Sequence, residues 1–78
     1  MPTVLRIGPF RFHFYSDERG EPPHIHVALP EGECKFWLNP VWLARNRGVA
    51  PHLIRTMGKL VFQYAGFLEE KHHEHHPR

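Results

Sequence analysis

The spacing of apolar residues changes period once along the chain, and that change limits the fold more than any other feature. In the first half, apolar side chains fall at every second position. Phe10, Phe12 and Phe14 share one parity, and Arg11, His13 and Tyr15 the other. Residues 24–29 repeat the pattern, with Ile25, Val27 and Leu29 on one side and His24, His26 and Ala28 on the other. A period of two marks strands buried on one face. Residues 4–7 read as a short strand before a Gly8-Pro9 turn, 16–23 as a loop and 30–33 as a tight hairpin connection. Residues 34–38 form a further strand, with Phe36 and Leu38 inward and Lys35 and Trp37 outward. Asn39-Pro40 breaks the ladder. Residues 41–44 fit either an edge strand or one helical turn, and 45–48 a basic loop.

From Pro51 the period becomes that of a helix. Proline suits the first helical position, where its missing N–H costs nothing. Leu53, Ile54, Met57, Leu60, Val61, Tyr64 and Leu68 follow the 3.6-residue repeat, with Phe67 at the edge of the stripe. Gly58, inside this stretch, suggests close packing on the sheet. The expected fold is therefore α+β: a small antiparallel β-meander of three to five strands with one long C-terminal helix packed on one face. Residues 1–70 are expected to form a single domain, and residues 71–78 a disordered His-rich tail.

The chain has 78 residues, which leaves room for one small core. Its single cysteine, Cys34, excludes an internal disulfide and is read as a structural thiol. No run reaches the roughly 18 apolar residues of a membrane span, and the N-terminus lacks a secretory pattern, so a cytoplasmic protein is expected. The net charge of +2 is too small to argue for nucleic acid. Its distribution says more. Residues 34–68 contain no acid but carry Lys35, Arg45, Arg47, Arg55 and Lys59. Such a stretch is either a solvated basic face or the seat of an anionic partner.

One helix covers one face of a sheet. By parity, the other face displays Arg6, Arg11, His13, Tyr15, His24, His26, Lys35 and Trp37, with no acidic residue among them. Three chemistries fit this set. Aromatic and cationic side chains on an open sheet can stack on bases and track phosphates. Imidazoles titrating near neutral pH can act as general base and acid in RNA cleavage. His24 and His26 project on one side, with His13 on the neighbouring strand as a third possible metal ligand. Ordinary surface histidines on a solvated or partner-covered face are the competing account. No metal and no cofactor are expected. His72, His73, His75 and His76 at the C-terminus suggest adventitious metal binding at most.

The stretch Met1-Pro2-Thr3-Val4-Leu5-Arg6-Ile7-Gly8-Pro9-Phe10-Arg11-Phe12 is followed by Phe14-Tyr15-Ser16 and Glu21-Pro22-Pro23-His24-Ile25-His26-Val27. Later come Lys35-Phe36-Trp37-Leu38, Pro40-Val41, Leu43-Ala44 and Arg47-Gly48. Together they resemble the small prokaryotic family catalogued as domain of unknown function 4160. The resemblance covers residues 1 to about 68, and Pro-Pro-His-Ile-His-Val is its most specific element. It implies no defined biochemical activity. It does imply membership of small toxin–antitoxin-like gene pairs, and it places His24 and His26 in one motif and Lys35 with Trp37 in a second. The sequence departs from the family in its apolar, acid-free residues 53–68 and in its His-rich end. The longer apolar stripe hints at dimerisation through the helix.

The first functional expectation is a small module of toxin–antitoxin type that binds RNA or DNA through Arg11, Tyr15, Lys35, Trp37, Arg45 and Arg47. The second is a protein-interaction module, homodimeric or with a small protein partner, without catalysis. The third is a metal-independent ribonuclease using His24, His26 and His13.

Overall fold

Short connections dictate the topology, because strands joined by two residues can only be antiparallel neighbours. The computed structural model describes residues 3–15 and 20–76. Five strands form one antiparallel sheet in chain order: β1 (Thr3–Ile7), β2 (Phe10–His13), β3 (His24–Leu29), β4 (Gly32–Leu38) and β5 (Val41–Arg47). Pairing of Ile7 with Phe10, Leu29 with Gly32 and Leu38 with Val41 leaves Gly8-Pro9, Pro30-Glu31 and Asn39-Pro40 as the hairpin loops. The Asn39-Pro40 peptide bond is cis. Residues 16–19 of the loop expected before β3 lie outside the described residues, as do 77 and 78.

Alternation sorts the side chains as the sequence implies. Phe10, Phe12, Ile25, Val27, Cys34, Phe36 and Leu38 form the buried core with Phe14, and Leu5, Ile7 and Leu29 pack against it. Met57, Val61 and Leu68 complete it from the helical side. A fully buried side chain of this size contributes about 1.5–3 kcal/mol, so these few residues carry most of the stability of so small a chain.

Three expectations need correction. Residues 45–47 are not a loop: β5 runs through to Arg47, with a bulge opposite the Lys35/Phe36 step that absorbs one extra residue. The single long helix is two helices, α1 (Pro51–Gln63) and α2 (Ala65–His75). Tyr64 joins them with φ −106° and ψ 15°, outside the helical well, while Leu68 N–H still donates to the Tyr64 carbonyl. The break lets the apolar stripe of α1 and the shorter one of α2, Leu68 and His72, both reach the sheet. The segment from residue 71, expected to be a disordered tail, is helical to His75. No helix among the described residues is long and apolar enough to cross a membrane.

One close approach fixes the start of β4. A Cβ on Gly32 would overlap the Arg47 carbonyl oxygen, and Gly48 next to it has φ +82°. Only glycine fits this crossing of β4 with the end of β5. Gly58 is different: a Cβ there would meet Phe36 at 3.7 Å, an ordinary contact. Close packing therefore does not require glycine at 58. Urea unfolding should show Gly32→Ala losing roughly 1–3 kcal/mol through overpacking. Gly58→Ala should gain about 0.5–1 kcal/mol by removing a flexible residue from a helix interior.

Candidate functional site

The pairing register sets two rows across the polar side of the sheet. One runs Arg6, Arg11, Ala28, Glu33, Arg47; the other runs His13, His26, Lys35, Arg45. Directly opposed residues point the same way and lie within reach of one another. Glu33 therefore sits among basic groups, on a face expected to hold no acid. The reason is the length of the hairpin. Its loop is only Pro30-Glu31, so β4 begins at Gly32 and Glu33 becomes a strand residue. Its parity with Lys35 and Trp37 was the available signal.

The Glu33 carboxylate gathers three side chains from two other segments. The Tyr15 hydroxyl donates to it at 2.8 and 3.0 Å. His26 Nδ1 lies 3.3 Å from Oε2, and His13 Nε2 lies 3.4 Å from Oε1. The His13 and His26 rings stack with centroids 5.5 Å apart. Tyr15 meets both edge-on, at 5.0 Å and 4.4 Å. Beside this group, Lys35 pairs with Glu21 and lies over the Trp37 ring, 4.8 Å from its centroid. A hollow of about 310 Å³ opens here, lined by Tyr15, His26, Glu33, Lys35, Arg45 and Arg47 together with Cys34.

This face is not a solvated surface of histidines. His13, His24 and His26 are all buried, at 0%, 0% and 2% exposure, and Lys35 is buried with them. Buried polar groups need partners: Glu21 pairs with Lys35, and Glu33 lies against His26 and His13, although neither His13 nitrogen has a hydrogen-bond partner among the described residues. Burial holds the His13 imidazole below its ordinary pKa; Glu33 opposes that shift, while Arg11 and His26 assist it. His13 is therefore neutral at pH 7. Burial, with Glu33 alongside, pushes the Cys34 thiol up, so it is no nucleophile near neutral pH. Its Sγ lies 3.5 Å from Asn46 Oδ1, a structural contact.

The sequence candidates divide between places. Tyr15, His26, Lys35, Arg45 and Arg47 line the hollow. His13 sits behind it against Glu33, and Arg11 lies one row across, opposite Ala28. Trp37 and His24 do not line it. His24 belongs to a second group that sequence reasoning missed, in which α2 brings His72, His75 and His76 around Phe14. The His24 ring lies 5.2 Å from that of His72, and His72 lies 4.8 Å from His76. The i, i+4 spacing of His72 and His76 was the visible signal. His24 Nδ1–H donates to the Pro22 carbonyl at 3.0 Å, which makes Nε2 the basic nitrogen. Among the described residues, no group of three or more His, Cys, Asp or Glu side chains is arranged to hold a metal ion.

A pH dependence follows from His13. Its folded pKa is depressed, so the unfolded chain takes up the proton first as pH falls. Stability is then fully present above about 6.5, the ordinary histidine value, and is lost as pH drops from there towards the lower folded value. Thermal unfolding across pH 5 to 8 should show this loss. His13→Gln should flatten the curve by at most about one proton, and an unchanged slope would refute the assignment.

No curated protein and no solved structure matches the chain. A family model does, over residues 10–73, a span that takes in the whole Glu33 cluster, Arg45 and Arg47, and α2 as far as His73. On that match the chain belongs to the family described as "Domain of unknown function (DUF4160)".

Proposed function

We propose that the protein is a small nucleic-acid-binding module of toxin–antitoxin type, engaging RNA or DNA through the polar face of its sheet. One observation carries this reading: the cross-strand rows bring Arg6, Arg11, Arg45 and Arg47 to the same face, and Arg45 and Arg47 line a hollow that also holds an aromatic ring, Tyr15. Arg6, Arg45 and Arg47 are exposed. The acid on this side is engaged by neighbours: Glu33 by Tyr15 and the histidines, Glu21 by Lys35. The outer arginines thus present positive charge to a phosphate backbone, and Tyr15 offers a partly exposed ring for stacking. Lys35 and Trp37 contribute indirectly, because Lys35 is buried and already paired. The toxin–antitoxin part of the proposal rests on the family resemblance alone.

Removing a cation that neutralises a phosphate lowers the salt dependence of binding. Arg45→Ala with Arg47→Ala should therefore weaken binding of a mixed-sequence single-stranded oligonucleotide and reduce the log–log salt slope by about 1–2. Filter binding or anisotropy from about 50 mM salt upwards measures both. No detectable binding of RNA or DNA by the unmodified protein at the low-salt end would end this proposal.

A second reading, metal-independent RNA cleavage, has its own support. His26 Nδ1 faces Glu33, so the tautomer with its proton on Nδ1 has Nε2 as the base, the arrangement by which a carboxylate orients a catalytic imidazole. The sequence-level pairing of His24 with His26 changes accordingly: Glu33 and Tyr15 become the partners of His26 in this reading. If it holds, His26→Ala and Glu33→Gln should each cut cleavage of a single-stranded RNA by about 10²-fold or more. His24→Ala should matter far less. Equal cleavage by all three variants would remove the reading.

A further inference from the structure

The polar face does not account for the most exposed large apolar side chains among the described residues. Trp42 is 70% exposed and Phe62 75%, with Leu43 and Phe67 partly bared as well. Trp42, Leu43 and Phe62 line one open groove of about 610 Å³ with Phe36, Val41 and Lys59, between β5 and α1. Contiguous exposed apolar surface of this kind marks an interaction site. Along the same groove runs a sheet edge. β5 pairs only with β4, and no backbone hydrogen bond joins residues 41–47 to any further segment among the described residues.

We propose that this groove and the adjoining edge of β5 receive an extended segment of a partner protein that alternates apolar and acidic residues and adds to the sheet as a sixth strand. Strand addition satisfies the open backbone groups of an edge and reads alternate side chains separately. The apolar set of such a segment enters the groove beside Trp42, Leu43 and Phe62. Its acidic set points to the opposite face of the sheet, where Arg45 and Arg47 follow along β5. Lys59 on the groove wall, and Arg55 one helical turn before it, make the helical rim basic as well. No acid occurs anywhere in residues 34–68 to compete.

The same charge pattern argues against a second copy as the occupant. A two-fold pairing of β5 with itself would bring Arg45, Arg47, Arg55 and Lys59 of both chains into one interface with no acid to offset them. The bulge in the middle of β5 further disfavours regular self-pairing. The groove lies on the helical side of the sheet and the hollow on the other; the two proposals share Arg45 and Arg47, and Phe62 belongs to the groove alone.

The test uses the full chain, ¹⁵N-labelled, titrated with synthetic peptides of about eight residues. One alternates Leu and Glu, a second alternates Leu and Lys, and a third scrambles the first. The Leu/Glu peptide should perturb the amides of residues 41–47 and should bind at least about ten-fold more tightly than the other two. Phe62→Glu and Arg45→Glu should each weaken that binding by about ten-fold or more. Both positions are exposed, so unchanged thermal unfolding should confirm that the variants fold. RNA binding by the Phe62→Glu variant should persist, which separates this surface from the nucleic-acid face. Three results would overturn the inference: no binding of the Leu/Glu peptide up to about 1 mM; a concentration-dependent dimer in ultracentrifugation that broadens the same amides; or an oligonucleotide whose binding is lost in the Phe62→Glu variant.

Discussion

The polar side of the sheet depends on one carboxylate. The imidazoles of His13 and His26 and the Lys35 side chain stand buried around it, and taking such groups out of water costs several kcal/mol for any that remain unpaired. Glu33 makes this tolerable for the histidines by accepting from Tyr15 and lying within 3.4 Å of both rings. It ties together the end of β2, β3 and β4, and it is 24% exposed, so its charge retains some solvation. The close approach of Gly32 to Arg47 sets where β4 begins, and hence which residue of the hairpin faces the histidines. A backbone constraint with no side chain of its own thereby positions the chemistry of the face.

With Glu33 shared among Tyr15 and two imidazoles, and Glu21 joined to Lys35, positive charge survives mainly at the periphery. Arg6 and Arg11 lie on one flank of the sheet, Arg45 and Arg47 on the other. This distribution suits a ligand broader than the hollow. A small anion would need its cations converging on one point, whereas a phosphate backbone needs them spaced along a track. That difference is why the binding reading stands ahead of the catalytic one. The Glu33–His26 pair can orient a base, yet His26 is almost wholly covered, so a substrate would reach it only through the hollow.

Much of this architecture is legible in the sequence, and the illegible parts share a cause. The parity of Phe10, Phe12 and Phe14, and of Ile25, Val27 and Leu29, yields the strands, their buried face and the face carrying His13, His24 and His26. The repeat from Leu53 to Leu68 yields the helical layer. Each of these is a local pattern read within one segment. Glu33 escapes such a reading because Pro30-Glu31-Gly32-Glu33 looks like continuous turn chemistry, and only the register shows that two residues suffice. β5 escapes it past Ala44 because its bulge interrupts the alternation and its exposed side chains carry no buried face. The break at Tyr64 is hidden because the apolar repeat continues across it. Burial of the histidines is invisible for the same reason: parity tells which face a residue occupies, not what lies over it.

The histidines at the C-terminus show how far such non-local packing reaches. α2 has little apolar surface of its own, with Leu68 and His72 as its only buried residues. Its attachment therefore rests on ring contacts more than on an aliphatic stripe. His72 lies edge-on to Phe14 at 5.4 Å and beside His24. His24 in turn meets His26 at 5.4 Å, and His26 stacks on His13. A continuous line of imidazoles thus runs from the last helical turn to the wall of the hollow. The rings pack there as small aromatics, and His24 turns its polar edge to the Pro22 carbonyl, a bond that an aliphatic side chain could not offer. The placement of α2 is consequently coupled to the geometry of the polar face. His24, the central residue of the Pro-Pro-His-Ile-His-Val motif, is the joint between them: its Nδ1–H is fixed to its own strand's entry and its ring is shared between helix and sheet.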